Sequence, residues 1–386
     1  MPGDLHTHSS CSDGSTPIEK LPWLAACAGL DWLAISDHDT NRSVRYAYAH
    51  PEQNGVKLIP AVELTAYDYG REHRVHILCY YPDDCEALAR HTAVMDKRRY
   101  DAVYQSCKEL EEICPQFKTE EALEFAKDSG TLYKAHVMRV LWQYGLSDGM
   151  YNTVYRSLFG LRPVRGKILH TPVYETVDTI LNLIQECRGV AVLAHPSVYH
   201  SMPLARELIA AGRLDGVEID HPRNTAEDKA ELEQLAAEYG LIVTGGTDYH
   251  GMNTNTPHPV GTCTTADEQI ARIRALAEAR KKVKQPTAKN KTEQEYKKEQ
   301  TIMTYERRNK GTCSVMTKVE LNPDHTIESV EVLGGCNGNL KGICQLLKGM
   351  KAEDAIERMK GTLCGSKPTS CPDQIAITLE EALQKL

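Results

Sequence analysis

Histidine and carboxylate side chains recur in this sequence at the points where short apolar segments end. His6 and His8 are one residue apart on a predicted strand, so both imidazoles leave the same face and could share one metal ion. Asp248 and His250 repeat this spacing after a later apolar segment. An isolated His-x-His pair is more often a surface or hydrogen-bonded pair than a metal site, but here the pattern recurs. The complete set is His6, His8, Asp13, His38, Glu63, His76, His195, Asp248 and His250.

Side chains of these types, gathered at one edge of one domain, predict a centre of several metal ions. Carboxylates and imidazoles in a buried cluster are costly unless cations pair with them. Mixed nitrogen and oxygen ligands suit Mn²⁺, Zn²⁺ or Fe²⁺, and the sequence does not choose among them. Two such ions about 3.5–4 Å apart would hold a bridging hydroxide and neutralise phosphoryl oxygens, which is the chemistry of phosphoester hydrolysis.

Alternating strands and helices must position these side chains. An N-cap Thr16, a Pro17 at the first helical position and a Glu19 three residues after the cap predict a helix that starts at Pro17, and Gly29 should end it. Strands are predicted at Leu5–Ser9, Trp32–Ile35, Lys57–Val62, Arg74–Cys79, Val190–Ala194, Gly216–Ile219 and Leu241–Thr244, and helices at Thr176–Cys187, Pro203–Ala211 and Ala226–Tyr239. Repeated units of strand and helix predict an α/β barrel or open sheet whose site lies at the carboxyl edge of the strands.

Three regions depart from this alternation. Asp83–Leu169 has helical periodicity and no convincing strand, which predicts a long helix followed by a helical insertion at about 100–170. Lys281–Gln300 is rich in lysine and nearly free of apolar residues, so it predicts a solvated linker or frayed helix between a domain at 1–280 and a smaller one at 301–386. We expect the smaller domain to be α+β, with strands at Cys313–Leu321 and Ile327–Leu333 and helices around Ile343–Leu347 and Ala352–Met359.

Composition excludes several classes of protein. Of the 386 residues, 41% are hydrophobic and 25% are charged, which is ordinary for a globular protein and unlike a fibrous or wholly disordered chain. The sequence has no membrane-length apolar run and no export signal, so we expect a cytoplasmic protein whose 13 cysteines are reduced thiols. The net charge of −8 argues against an extended nucleic-acid-binding face, because phosphate neutralisation needs clustered Lys and Arg.

The motifs around the metal-binding candidates resemble those of the PHP (polymerase and histidinol phosphatase) metal-dependent phosphoesterases. They are His6-Thr7-His8-Ser9, Asp13-Gly14, Ser36-Asp37-His38, Glu63, Ala194-His195-Pro196 and Gly246-Thr247-Asp248-Tyr249-His250. The resemblance implies a distorted (β/α)7 barrel that holds two to three divalent ions. One ion would be held by His6, His8, Glu63 and Asp248, a second by Glu63, His76 and His195, and a third by Asp13, His38 and His250. Glu63, as the bridging ligand, and Asp248 are therefore predicted to be catalytic.

The predicted insertion carries a basic segment that could bind substrate. His136 and Arg139 share a helix face at i, i+3, and Lys134 precedes them, although a solvated basic face is the alternative. The segment resembles one in the PHP branch that removes the 3′-phosphate from nucleoside 3′,5′-bisphosphates and also acts on short 5′-phosphorylated RNA. Lys134 stands where that branch usually has Arg, and Arg165–Leu169 matches its later glycine- and lysine-containing loop poorly. The resemblance implies hydrolysis of a small phosphorylated nucleotide to the 5′-monophosphate, with 5′-to-3′ exonuclease activity on short RNA as an alternative.

The carboxyl-terminal region has a resemblance of its own. Thr369-Ser370-Cys371-Pro372-Asp373 resembles the motif of the TSCPD domain, a module also found at the end of some cobalamin-dependent ribonucleotide reductases. Four cysteines in this region could bind a structural Zn²⁺, although no Cys-x-x-Cys pair is present and cysteines packed as small apolar residues are the alternative. They are Cys313, Cys336, Cys364 and Cys371.

Two other classes of function are weighed against a phosphoesterase. Metal barrels that begin with His-x-His also hydrolyse amides, but no lysine stands at a strand end here, and Lys134 and Arg139 favour a phosphorylated substrate. A non-catalytic nucleotide-binding protein, linked to ribonucleotide reductase through its TSCPD-like domain, would have no reason to keep all of the ligand-type side chains.

Overall fold

The described part of the chain, in this computed structural model, consists of residues 2–161, 163–282 and 303–386. The chain divides into two compact units, one of Met1–Asp68 and His73–Val283 and the other of Tyr69–Glu72 and Lys284–Leu386. The first two residues of the predicted linker Lys281–Gln300 end a helix, and the rest of the linker lies outside the described residues.

The first unit is built around a sheet of nine strands. They are β1 Gly3–Thr7, β2 Trp32–Ile35, β3 Glu52–Gln53, β4 Val56–Asp68, β5 His73–Tyr80, β6 Glu175–Thr176, β7 Val190–Leu193, β8 Gly216–Asp220 and β9 Ile242–Gly245. The order across the sheet is β1-β2-β4-β5-β7-β8-β9, with β3 and β6 paired to β4.

One strand of this sheet runs against the others. β1, β2 and β4 are parallel, and so are β7, β8 and β9, but β5 is antiparallel to both β4 and β7. The predicted alternation of strand and helix is broken here, because β5 follows β4 with no helix between them. Asp68 at the end of β4 pairs with His73 at the start of β5, and so short a connection makes a hairpin, since a parallel crossover needs a dozen or more residues.

The two ends of the sheet approach each other beyond β9. The Asp248 N–H donates to the His6 carbonyl at 2.8 Å, and the His8 N–H donates to the Tyr249 carbonyl at 2.8 Å. Gly246 permits this approach, because a Cβ at that position would lie 2.3 Å from the Cβ of His6. The sheet is therefore a nearly closed barrel, and the predicted distorted barrel is confirmed.

Helices cover the outside of the barrel and form the insertion. The first unit contains a 3-10 turn at Ile18–Lys20 and the helices α1 Leu21–Cys27, α2 Arg42–Ala49, α3 Glu86–Ile113, α4 Thr119–Phe125, α5 Lys134–Gln143, α6 Thr153–Phe159, α7 Val177–Glu186, α8 Met202–Ala210, α9 Ala226–Tyr239 and α10 Asp267–Lys282. The expected α-helix at Pro17 begins as a 3-10 turn instead. Pro22 has no N–H to donate and its ring crowds the carbonyl of residue 18, so the α-helix starts only one residue before it.

The first unit has separate apolar clusters inside the barrel, beneath the outer helices and within the insertion. Leu5, Ile59 and Val192 lie in the cluster that also takes in residues of α10. The insertion, which runs from α3 to α6 with no strand among its described residues, is built around Phe117, Met138 and Phe159.

The second unit is a small α+β domain, as the sequence analysis predicted. Its antiparallel strands are β10 Met303–Arg308, β11 Ser314–Leu321 and β12 Ile327–Gly334, and its helices are α11 Asn337–Leu347, α12 Ala352–Met359 and α13 Cys371–Leu383. β10 and α13 were not expected from the sequence. Among the residues that the structure describes, no helix combines the length and the apolar character needed to cross a bilayer.

Candidate metal centre

The barrel brings all of the predicted metal-binding side chains together at one edge. His6 lies near the carboxyl end of β1, and His8 follows directly after that strand. Glu63 lies within the long strand β4. His76 lies in the first half of β5, opposite Thr65 of β4, so the reversal of β5 is what carries it to this edge. The donor atoms form four overlapping groups within which all atoms lie no more than 4.8 Å apart. These groups are His8 with Asp13, His38 and His250; His6 with His8 and Asp248; His6 with Glu63 and His195; and His38 with Glu63 and His76.

Glu63 lies at the middle of this arrangement and is fully buried. Its Oε1 lies 2.8 Å from His76 Nδ1 and 3.0 Å from His195 Nε2. Its Oε2 lies 3.3 Å from the Nε2 atoms of both His6 and His8. Burial by itself would raise the pKa of Glu63, but the surrounding imidazoles, His76 first, hold it well below the usual range for a carboxyl group. Glu63 is therefore an anionic carboxylate that contacts several histidine side chains.

Two aspartates extend the cluster. Asp248 Oδ1 lies 3.2 Å from His8 Nε2, and Asp13 Oδ1 lies 3.3 Å from His250 Nε2. Burial opposes ionisation of Asp248, but His250 and His6 outweigh it and hold the pKa of Asp248 well below the usual range. Both carboxyl groups are ionised and can act as metal ligands.

Several buried donor atoms in this cluster have no hydrogen-bond partner among the residues that the structure describes. They include His6 Nε2, His8 Nε2, Asp13 Oδ1, His38 Nδ1 and Glu63 Oε2. A buried polar atom without a partner is costly, whereas bound cations would satisfy these lone pairs. Imidazole nitrogen with carboxylate oxygen is also a donor set that divalent transition ions accept. The residues present therefore fit the metal ions that the resemblance implies.

A glutamate that the sequence analysis missed orients two of the histidines. Glu218 lies within β8 and is fully buried; its Oε1 is 2.9 Å from His6 Nδ1, and its Oε2 accepts the His195 backbone N–H at 2.9 Å. A carboxylate on Nδ1 fixes the proton there and leaves Nε2 free for a metal. A charged residue inside an otherwise apolar strand was the available signal.

Asp37 and Asp39, which follow β2, support the loops and not the donor cluster. Asp37 accepts the Ser9 N–H at 2.8 Å and the Ser12 hydroxyl at 2.5 Å. Asp39 accepts the Thr65 N–H at 2.8 Å and is ion-paired with Arg99 of α3. The contacts of Asp37 hold the loop after β1, and the contacts of Asp39 join the insertion to the barrel edge.

Two of the candidate ligands have unusual backbone angles. His195 has φ of +27° and Asp248 has φ of +53°, both in the left-handed region that residues with a Cβ rarely adopt. Backbone strain of this kind persists only where the surrounding structure enforces it, and it concentrates at functional sites.

The predicted substrate-binding residues lie in or beside α5, with different surroundings. His136 accepts the Tyr133 N–H at 3.2 Å and also bonds the backbone of Ser12, so it holds α5 to the loop after β1. Burial lowers the pKa of His136 to about 4. The Arg139 guanidinium lies 4.6 Å from the centre of the Phe125 ring, inside the insertion.

Lys134 belongs to a group of cations that we call the cation cluster: Arg74, Lys134 and Arg165. Burial, and then the charges of Arg74, Arg99 and Arg165, lower the pKa of Lys134 to about 7. Lys134 Nζ lies 5.6 Å from the Phe159 ring, and the Arg165 guanidinium donates to the Leu169 carbonyl. Of the ion pairs between residues that the structure describes, none includes a member of the cation cluster.

Tyr199 joins the cation cluster to the metal-binding candidates. Its ring lies 4.8 Å from the ring of His76, 5.7 Å from the ring of His195 and 5.4 Å from the guanidinium of Arg74. Neither Arg74 nor Tyr199 was singled out from the sequence, because neither stands in a motif.

The carboxyl-terminal cysteines are only partly brought together. Cys313 Sγ and Cys371 Sγ lie 3.9 Å apart. Cys336 and Cys364 are exposed, and no group of three donors within the described residues contains a cysteine. The predicted zinc site of this unit stays a prediction.

Comparison with known proteins identifies the family of the first unit. The model of the PHP domain matches residues 4–186, and the model of the TSCPD domain matches residues 290–383. A phosphoribosyl 1,2-cyclic phosphate 1,2-diphosphodiesterase from Eggerthella lenta is 36% identical over 257 residues, which cover 66% of this chain and 96% of that protein. The chain belongs to the PHP family.

Other relatives of this PHP protein are hydrolases with different activities. The 5′-3′ exoribonuclease Rnm of Escherichia coli is 28% identical over 259 residues, covering 64% of this chain and 84% of that protein. A 3′,5′-nucleoside bisphosphate phosphatase of Chromobacterium violaceum is 29% identical over 257 residues, covering 64% and 86%. A solved structure from Bifidobacterium adolescentis, described as a metal-dependent phosphoesterase, superposes with a TM-score of 0.64 at 25% identity and covers 71% of this chain and 96% of that one. This PHP protein is thus a hydrolase of the metal-dependent phosphoesterase class, as its motifs predicted.

Proposed function

We propose that this protein hydrolyses a phosphate monoester of a small ribose phosphate that carries a second phosphate group. The proposed substrate is a nucleoside 3′,5′-bisphosphate, and the product is the nucleoside 5′-monophosphate. The single observation that carries this choice is the cation cluster. Its Arg74 lies against Tyr199, which contacts His76, and the charges of Arg74 and Arg165 act on Lys134. Within the described part of the chain, no member of the cluster has an ion pair with a carboxylate. Cations crowded against one another in this way favour an anionic ligand.

The position of the cation cluster supports a second phosphate and not the reacting one. Arg74 and His76 are two residues apart on β5, so their side chains leave the same face of the strand. Tyr199 lies against both side chains. A phosphate held by Arg74 would therefore lie beside Tyr199, to one side of the donors around Glu63.

The side chains of the candidate centre have distinct roles in this proposal. Divalent ions held by the nine donors would supply a hydroxide nucleophile and would neutralise the phosphoryl oxygens. Glu218 fixes the tautomer of His6, and Glu63 and Asp248 keep the donor cluster anionic at neutral pH. The Arg223 guanidinium donates to Asp248 Oδ2 at 2.6 Å and is 57% exposed, so it stands at the rim, where it can also contact an incoming phosphate.

A cyclic phosphate diester of phosphorylated ribose is the second candidate substrate. It is favoured by the 36% identity to the Eggerthella lenta diphosphodiesterase, whose substrate, as its name states, also combines a phosphoribosyl group with another phosphate. Short 5′-phosphorylated RNA is a related alternative, in line with the exoribonuclease among the relatives. All of these substrates place a second phosphate on a ribose, as the cation cluster requires.

Steady-state kinetics on a matched substrate panel tests the proposal. The panel contains adenosine 3′,5′-bisphosphate, 3′-AMP, a phosphorylated ribose 1,2-cyclic phosphate, a 5′-phosphorylated trinucleotide and p-nitrophenyl phosphate, each with Mn²⁺ and with chelator. We expect the bisphosphate to exceed 3′-AMP in kcat/KM by about ten- to a hundredfold, the worth of one charge-assisted contact. His8→Ala and Asp248→Ala should abolish turnover of every substrate, with the far-UV circular dichroism unchanged. Equal kcat/KM for mono- and bisphosphates would contradict the proposal, and a preference for the cyclic diester would favour the second candidate.

A further inference from the structure

Two cysteines of the first unit lie with their sulfur atoms in contact. Cys85 Sγ and Cys187 Sγ are 2.8 Å apart, although the residues are separated by 102 positions in the sequence. This separation is shorter than a van der Waals contact between two sulfur atoms. Neither cysteine belongs to the metal centre or to the cation cluster.

The two cysteines bracket the insertion. Cys85 is the N-cap of α3, the long helix that opens the insertion, and Cys187 is the C-cap of α7, the first helix after it. The backbone holds the two positions together, because the Asp83 N–H donates to the Cys187 carbonyl at 2.8 Å and Arg188 is ion-paired with Asp83. The sulfur contact is thus fixed by the elements that carry it.

The surroundings of the two thiols differ. Cys85 is half-buried, and its Sγ accepts the Leu88 N–H at 3.5 Å at the amino end of α3. Cys187 is 1% exposed, and burial raises the pKa of its thiol above the usual range. An accessible thiol next to a shielded one is the arrangement of an attacking and a resolving cysteine.

We propose that Cys85 and Cys187 form a reversible disulfide that covalently joins the two ends of the insertion. The oxidant is a low-molecular-weight disulfide. The Cys85 thiolate attacks one sulfur of the reagent, which forms a mixed disulfide and releases one thiolate. Cys187 loses its proton as its sulfur attacks Cys85 Sγ, which forms the protein disulfide and releases the second thiolate. Two protein S–H groups become one S–S bond, and the reagent is reduced to two thiols that take up the two protons.

The effect of this bond is to restrict the unfolded chain around the insertion. Closing a loop of this length removes conformational freedom from the unfolded state, which stabilises the folded state. We therefore expect the oxidised protein to have a Tm higher by roughly 4 °C or more, reversed by dithiothreitol.

Differential alkylation of the full-length protein at a fixed Mn²⁺ concentration tests the proposal. The protein is equilibrated in buffers of rising glutathione disulfide content, quenched with N-ethylmaleimide, digested and analysed by mass spectrometry. We expect a linked pair of peptides that contain Cys85 and Cys187, with a mass lower by two hydrogens than the sum of the separate peptides. The Tm of each sample is measured beside it.

Two variants separate this bond from oxidation elsewhere. Cys85→Ser should lose both the linked peptides and the rise in Tm, whereas Cys27→Ser, at an exposed cysteine at the end of α1, should keep both. Alkylation of both cysteines in oxidised wild type would overturn the proposal without any variant. So would pairing of Cys187 with the neighbouring Cys79, or a rise in Tm that survives in Cys85→Ser.

Discussion

Lys134 carries a charge that changes within the physiological range of pH. Burial and the charges of Arg74, Arg99 and Arg165 lower its pKa to about 7, so the free protein loses this cation as the pH rises through 7. A second phosphate would then lose one charged partner. We expect kcat/KM for adenosine 3′,5′-bisphosphate to fall by about tenfold or more between pH 6.5 and pH 8.5, measured under fixed Mn²⁺.

Lys134→Arg provides the matched control for this pH effect, because a guanidinium keeps its proton throughout that range. The fall in kcat/KM at high pH should disappear in this variant. With p-nitrophenyl phosphate, which has no second phosphate, neither wild type nor Lys134→Arg should show such a fall. A limb that is the same in Lys134→Arg and wild type would assign the titration to another group.

Glu218 sets the orientation of two histidines without being one of the nine donors. Glu218→Gln keeps the shape of the side chain but weakens its hold on His6 Nδ1, which lies 2.9 Å away. Losses of about ten- to a hundredfold in metal affinity are typical when such a supporting group is changed. We expect that loss in a Mn²⁺ titration followed by calorimetry, with Glu227→Gln on the exposed start of α9 as control. Unchanged affinity in Glu218→Gln would show that the His6 ring is positioned by packing alone.

At the scale of single residues, the sequence predicts the metal-binding candidates but not the neighbouring residues that surround them. Eight of the nine candidate ligands stand in the motifs quoted from the sequence, and His76 stands in a predicted strand, so they were recognisable one by one. Arg74 and Tyr199 stand in no motif, and they meet only because β5 reverses and the loop after β7 folds back. Contacts between residues so far apart in sequence depend on the finished packing.

Among the structural elements, the segment after β9 decides whether the barrel closes. Gly246→Ala would place a Cβ 2.3 Å from the His6 Cβ and 2.5 Å from the His6 N, both rigid parts of β1. We expect this variant to be destabilised by more than about 2 kcal/mol in urea unfolding and to lose activity, because Asp248 follows only two residues later.

Gly149→Ala is the control for that variant, since a Cβ there would meet its nearest neighbour at an ordinary 3.5 Å. It should leave the urea midpoint nearly unchanged. A fully stable, active Gly246→Ala protein would mean that β1 and β9 are not held together as the structure shows.

The same segment shows what the sequence could and could not tell about elements. Gly245 and Gly246 are both needed for close approach, because a Cβ at these positions would lie 2.5 and 2.3 Å from its nearest neighbour. Most strands and helices of the barrel were predicted to within a few residues, because their apolar periodicity is local. The antiparallel β5 could not be read in that way, since direction within a sheet depends on the neighbours and not on the strand itself.

For the whole molecule, the two compact units predict a division of function. A chain that ends at Lys282 retains every strand of the barrel, all nine donors and the cation cluster. We propose that it folds alone and keeps the kcat/KM of the full chain within about threefold, measured on the same substrates. An insoluble or inactive truncated chain would show that the second unit is needed for the fold or the activity of the first.

Metal removal should affect the two units differently. Bound ions at about 100 times their Kd would stabilise the first unit by about 2.7 kcal/mol, and no comparable donor group was found within the described part of the second. We expect a chelator to lower the Tm of the first unit and to leave the Tm of residues 303–386 unchanged. Both transitions are measured by calorimetry. A single transition that does not move with chelator would contradict a metal centre in the barrel.

The order of the donors along the chain has a consequence for biosynthesis. His6 and His8 leave the ribosome with the first strand, whereas Asp248 and His250 follow the last strand of the barrel. Glu63 follows them early in translation, but Asp248, which also contacts His8, is made only when almost the whole unit has been translated. A nascent or prematurely terminated chain presents only a partial donor set, so capture of the ions is a late event that marks completion of the barrel.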